Sequence, residues 1–196
     1  MKRMINFVVC VAVLSLAVPA VAGDGVAVGS AAPDFTLQDT AGTKVSLSDF
    51  EGKVVVLEWL NPDCPYVKRH YKADTMKTLA TTYGEKGVVW LTINSTHYMD
   101  AAANASFKKD HGLPYSILVD QDGKVGHLYG AMTTPHMYIV TGDGTLAYMG
   151  AIDDDPRGGS DSPANYVAAA LDEVLAGKAV TTAETTPYGC SVKYKK

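Results

Sequence analysis

The chain has 196 residues and 17 lysines and arginines against 21 acids, a formal net charge of −4. That length is enough for one domain with a sizeable core. Mild acidity without a basic patch argues against nucleic acid as a partner. Past the first twenty residues, no stretch is long and apolar enough to cross a membrane.

Residues 1–22 read as a signal peptide. Lys2 and Arg3 precede an apolar run from Ile5 to Val18, and Ala20-Val21-Ala22 forms a small-residue cleavage site. Its removal would leave 174 of the 196 residues and shift the charge from −4 to −6. Export to a periplasmic or secreted location would put the remaining cysteines, Cys64 and Cys190, where disulfides persist. The third cysteine, Cys10, lies inside the signal. The expected organisation is a signal at 1–22, one domain at 23–178, and a tail at 179–196 that carries Cys190 and extends beyond the compact domain.

Residues 31–37 and 44–47 flank the turn residues Asp39-Thr40-Ala41-Gly42, the pattern of a hairpin. Val54 to Leu57 is an unbroken aliphatic run, the mark of a strand covered on both faces. Asn61-Pro62-Asp63 is turn chemistry. Pro65 suits the first position of a helix, because its missing N–H would have no partner there. Cys64 is thereby placed at a helix cap, where the dipole and free N–H groups favour a thiolate. Lys68 and Arg69 could add to that effect, while Asp63 opposes it.

Apolar residues at Val67, Tyr71, Met76, Leu79 and Tyr83 predict one helix closed by Gly84. A strand follows over 88–93, a helix over 101–109, a strand over 116–119 and a short helix through Leu128. Residues 137–140 and 146–149 flank Thr141-Gly142-Asp143-Gly144, a second hairpin. A last helix is expected over 165–175, closed by Gly177. The order is hairpin, βαβαβ, hairpin, helix, which predicts an α/β fold with a mixed central sheet between helices.

The segment Asn61–Tyr71, N-P-D-C-P-Y-V-K-R-H-Y, resembles the thioredoxin-fold redoxins of the peroxiredoxin-like, alkyl hydroperoxide reductase/thiol-specific antioxidant class. Ala32-Pro33-Asp34-Phe35 resembles the entry of their domains, Thr134-Pro135 their cis-proline element, and Gly189-Cys190-Ser191-Val192-Lys193 their G-C-x-I-K tail. Many such proteins carry a first cysteine where this chain has Asn61, and typical peroxiredoxins carry threonine there. The resemblance implies an exported, thiol-dependent oxidoreductase with Cys64 as the redox-active thiol. Its Asn61 would donate a hydrogen bond from the amide, and Thr134 and Pro135 would bind substrate. Peroxide or a protein disulfide would be the oxidant, an external thiol the electron donor, and no cofactor would be needed. Cys190 could resolve an oxidised Cys64, form a disulfide with a partner, or remain passive. Typical peroxiredoxins also use an arginine beyond the centre of the domain; here the arginines after residue 22 are Arg69 and Arg157.

Other residues are open to two readings. Glu58 shares a strand face with Val54 and Val56, so it is either buried with a raised pKa or, more simply, a solvated acid at the strand's wet end. The five histidines show no metal-ligand spacing. His136 beside Pro135 could pair with Cys64 in a copper site, and the rival to an enzyme is a thiol module that binds copper or a partner. Asp153-Asp154-Asp155 with Asp161 reads as a solvated loop.

Overall fold

The computed structural model describes residues 25–196, so the expected signal lies outside the described residues. The chain opens with the hairpin β1 (Thr36–Asp39) and β2 (Lys44–Ser46), then a 3-10 turn at Leu47–Phe50. Next come β3 (Val55–Trp59), α1 (Pro65–Lys72), α2 (Thr75–Gly84), β4 (Val89–Asn94), α3 (Ala101–Asp110), β5 (Ser116–Val119) and α4 (Lys124–Tyr129). It closes with β6 (Thr133–Thr134), β7 (His136–Val140), β8 (Leu146–Gly150), α5 (Tyr166–Leu175) and β9 (Cys190–Ser191).

Seven strands form one sheet in the order β2-β1-β5-β4-β3-β7-β8. The strands β3, β4 and β5 run parallel, and the remaining pairings are antiparallel. All five residues of β3 are buried, as its aliphatic run requires of a strand covered on both faces. On one face Val56 and Leu60 pack with Val67 of α1, Met76 of α2 and Leu171 of α5. On the other, Leu57 and Trp59 pack with Val125 and Tyr129 of α4 and with Phe35. This is the central mixed sheet between helices that the sequence predicts. It sets the C-terminal end of β3, and so Cys64, at the start of α1 and against Thr134 of β6.

Two expectations need correction. The helix after Cys64 is two helices, broken at Ala73–Asp74, where Asp74 adopts a left-handed φ of 53°. Aspartate tolerates that conformation better than most residues, and the five-residue step from Tyr71 to Met76, too long for one helical turn, marks the break. The tail does not extend beyond the domain. Thr185 Oγ1 accepts the Ala151 N–H at 2.8 Å, Val192 is buried, and Tyr194 stacks on His127 with ring centroids 3.9 Å apart. Sequence could not reveal this, because every one of those contacts is made to a distant part of the chain.

Candidate active site

The turn that delivers Cys64 is built from its own residues. Asn61 Oδ1 accepts the Asp63 N–H at 2.9 Å, and the Asn61 carbonyl accepts the Cys64 N–H at 3.0 Å. Cys64 has extended backbone as the N-cap of α1, with Pro65 at the first helical position. The Asn61 side chain thus bonds to the turn rather than to the cysteine.

Cys64 is 1% exposed, and its Sγ donates to the Thr134 carbonyl at 2.9 Å. The Thr134–Pro135 peptide is cis, as the resemblance implies. Thr134 is fully buried, and its hydroxyl has no well-formed hydrogen bond, which leaves it free to turn its proton toward a Cys64 thiolate. The short strand β6 pairs antiparallel with β9, Thr133 opposite Ser191 and Thr134 opposite Cys190. That register sets Cys190 beside Thr134 and packs it against the cluster that holds Cys64, and the two cysteines are unlinked.

The two thiols differ in acidity. Burial works to raise the Cys64 pKa, but the Cys190 thiol, the Val67 N–H in the first turn of α1, Thr134 and the Cys190 N–H together outweigh it, and the net shift is downward. Cys190 is pushed up to about 11, first by burial, then by its hydrogen bond to Cys64 and by the charge there. The pair is therefore ordered, with Cys64 ionising first and Cys190 holding the proton.

Glu58 corrects the simpler expectation of a solvated acid. It is fully buried, and its carboxylate accepts from Tyr71 Oη at 2.9 Å, Trp90 Nε1 at 3.0 Å and Thr92 Oγ1 at 3.1 Å. Burial raises its pKa from 4.5 to about 7, against the opposing pull of those three donors. Its hydrogen bonds run into the α1–β4 packing, with none to Cys64. His136 is also buried, which pushes its pKa down to about 3. Its Nδ1 lies 3.0 Å from Tyr138 Oη and accepts the Met132 N–H at 3.4 Å. Among the described residues, no three or more His, Cys, Asp or Glu side chains converge in a way that could hold a metal ion.

A latch on the tail escaped sequence reasoning. Tyr188 Oη lies 3.0 Å from His70 Nε2, accepts from Arg69 Nη2 at 3.3 Å and donates to Asp153 Oδ1 in a short bond. Arg69 also donates to the carbonyls of Asp155 at 2.8 Å and Pro156 at 3.0 Å, which ties α1 to that loop. Asp153 is 5% exposed, so the acidic run is not simply a solvated loop. The only clue in sequence is that Tyr188 stands two residues before Cys190.

Residues 28–149 match the AhpC/TSA family model. The thiol-disulfide oxidoreductase ResA of Bacillus thuringiensis subsp. konkukian is 29% identical over 119 residues, 61% of this chain and 66% of that protein. The chloroplastic peroxiredoxin Q of Oryza sativa subsp. japonica is 31% identical over 129 residues, 62% of this chain and 57% of that protein. The chain thus spans just under two thirds of the ResA and less of the peroxiredoxin. An uncharacterized conserved protein from Geobacillus kaustophilus matches in structure with a TM-score of 0.80 and 31% identity, covering 92% of this chain and 98% of that one. A secreted disulfide oxidoreductase of Mycobacterium tuberculosis matches with a TM-score of 0.51 and 25% identity over 57% of this chain and 79% of that one. The fold is thioredoxin-like, and with the family model matching more than half of its length the chain belongs to the AhpC/TSA family.

Proposed function

We propose that this chain is a thiol-disulfide oxidoreductase that works with two cysteines from distant parts of the sequence, Cys64 as the attacking thiol and Cys190 as the resolving one. The observation that carries this reading is the strand pair that sets Cys190 opposite Thr134, beside the more acidic Cys64. Asn61 stands where related proteins carry the first of two cysteines, so the partner for Cys64 has to come from elsewhere, and Cys190 supplies it from the other end of the chain.

The Cys64 thiolate attacks one sulfur of a substrate disulfide. A mixed disulfide forms, and the other substrate sulfur leaves as a thiolate that takes a proton. Cys190 then loses its proton and attacks the Cys64 sulfur, which forms the Cys64–Cys190 disulfide and releases the substrate as a thiol. An external thiol donor returns the pair to its reduced form. The ResA relative and the secreted Mycobacterium disulfide oxidoreductase support this class of reaction, and the secretion of the latter supports an exported protein, as does the apolar segment at 1–22.

Peroxidase activity is the second reading, favoured by the match to peroxiredoxin Q. The same Cys64 thiolate would attack a peroxide oxygen, expel water or an alcohol, and be left as a sulfenic acid for Cys190 to resolve with loss of water. The arginine that assists typical peroxiredoxins has no counterpart at Cys64, because Arg69 is committed to the 155–156 carbonyls and Tyr188. Peroxide turnover is therefore expected to be the slower reaction. Stopped-flow oxidation of the reduced protein by glutathione disulfide and by hydrogen peroxide, with mass spectrometry of the product, tests both. A Cys64–Cys190 disulfide formed faster by the disulfide supports the first reading; faster oxidation by peroxide reverses the order.

A further inference from the structure

The corner around Cys64 holds two soft ligands and the donors to support a charge on them. The β6–β9 register puts Cys190 opposite Thr134, and the Thr134 carbonyl accepts the Cys64 thiol at 2.9 Å. Both thiols are free, and each alters the acidity of the other. Cys64 is 1% exposed while Cys190 is only partly covered, so the pair opens to solvent on the Cys190 side. The Val67 N–H, the Cys190 N–H and the Thr134 hydroxyl all favour negative charge on the Cys64 sulfur. Thr134 is fully buried, and its hydroxyl has no other hydrogen-bond partner. Cys64 is also the N-cap of α1, where the helix dipole is positive.

The ligand count decides which ion such a pair suits. Among the described residues, no third His, Cys, Asp or Glu joins the two thiols. Zinc needs three or four protein ligands, and calcium and magnesium need oxygen. His136, the copper ligand expected beside Cys64, has its Nδ1 engaged by Tyr138 and Met132. Copper(I) is different. It selects thiolates, and its filled d shell is satisfied by two of them in a linear arrangement. The bis-thiolate complex carries one net negative charge, and a buried charge is tolerated only with hydrogen-bond donors around it. The three donors and the helix start at Cys64 supply that second layer.

We propose that the reduced chain binds one copper(I) ion between the sulfurs of Cys64 and Cys190. Two S–H bonds break, two S–Cu bonds form, and both protons leave to solvent. Neither copper nor sulfur changes oxidation state. The tail keeps its pairing to β6 and its anchors at Tyr188, Val192 and Tyr194, because only the two cysteine side chains need to adjust. The site does not rest on the disulfide-exchange reading, but the two uses exclude each other at any moment. Copper engages both sulfurs that exchange needs, and a Cys64–Cys190 disulfide leaves no thiolate for copper.

The test is an anaerobic titration of the reduced full chain against the coloured bicinchoninate complex of copper(I), whose bleaching reports transfer. One copper per chain is expected, with no change in oligomeric state, and X-ray absorption should show two sulfurs and no nitrogen around the metal. Cys64→Ser and Cys190→Ser should each lose about a hundredfold in affinity, because the second thiolate acts at high effective concentration. Wild type oxidised with diamide should take up none, which keeps the test decisive if a serine variant fails to fold by circular dichroism. One equivalent of copper should also stop the reaction with glutathione disulfide, and excess chelator should restore it. A serine variant that binds as tightly as wild type overturns the proposal. So does copper that joins two chains, a third ligand, or an unchanged rate with glutathione disulfide when copper is bound. Each of those results leaves disulfide exchange standing. A copper-free protein that fails to react with glutathione disulfide but binds copper as described overturns exchange alone.

Discussion

Cys190 stands directly across the β6–β9 pair from Thr134, whose carbonyl accepts the Cys64 thiol. One strand register therefore brings three groups together: the cis-proline element, the Cys64 sulfur proposed to attack and the Cys190 sulfur proposed to resolve. Cys190→Ser should leave the first attack in place and remove its resolution. After treatment with glutathione disulfide, intact mass should show a stable glutathione adduct on Cys64, where the wild type shows a loss of two hydrogens. Cys64→Ser should show no fast oxidation at all. Equal oxidation rates at Cys190 in that variant would contradict the assignment of Cys64 as the attacking thiol.

Glu58 makes stability depend on pH in a definite direction. Its pKa is 4.5 when exposed and about 7 when folded, because burial disfavours the charge. Between those values the folded chain holds a proton that the unfolded chain has lost, so stability falls as pH rises through this window. The loss is complete above pH 7 and amounts to about 3 kcal/mol for this group. Glu58→Gln should flatten the change in urea unfolding free energy between pH 5 and pH 8. The variant also misorients one hydrogen bond, because three donors face the carboxylate. The slope, not the absolute stability, is the measurement that decides.

Tyr188→Phe keeps the ring and removes the hydroxyl that joins Arg69, His70 and Asp153. Buried polar groups left without a partner cost about 1–3 kcal/mol, and Asp153 and His70 are both buried. The variant should melt several degrees lower. Its Cys64–Cys190 disulfide should also close more slowly after oxidation, because Cys190 is two residues from the lost anchor. Rapid-quench alkylation followed by peptide mapping gives the closure rate. A lower melting temperature with unchanged closure would make the latch a fold-stabilising contact without influence on Cys190.

What was legible in sequence was local. The aliphatic run before Asn61 and the prolines around Cys64 specify a strand, a turn and a helix cap within a dozen residues, and β3, the turn and α1 follow that pattern. The second hairpin was equally plain from its turn residues. Sequence leaves Glu58 open between a buried and a solvated acid, because its donors come from 13, 32 and 34 positions along the chain. The latch was invisible for the same reason, since His70 and Tyr188 are 118 residues apart. A two-residue strand such as β6 or β9 carries no period to detect. It exists because its partner across the chain satisfies its backbone groups.

Asn61 offers the sharpest test of how the turn governs Cys64. Its Oδ1 holds the Asp63 N–H at 2.9 Å three residues ahead of the sulfur, and the side chain is 1% exposed. Asn61→Ala removes that acceptor and should cost about 1 kcal/mol of stability. The Cys64 pKa should move little, because the groups that lower it are the Cys190 thiol and N–H, the Val67 N–H and Thr134. Asn61→Asp keeps the acceptor and the shape but adds a buried negative charge near the thiolate. Like charges disfavour ionisation, so the pH profile of Cys64 alkylation should shift upward and the rate at pH 7 should drop several-fold. The two variants thus separate a turn-building role from an electrostatic one. If Asn61 instead donated its amide to the thiolate, as the resemblance implies, Asn61→Ala would raise the Cys64 pKa as well. Iodoacetamide rates from pH 5 to pH 10 for the three proteins distinguish these outcomes: a shift for aspartate alone assigns Asn61 to the turn, and a shift for both assigns it to the sulfur.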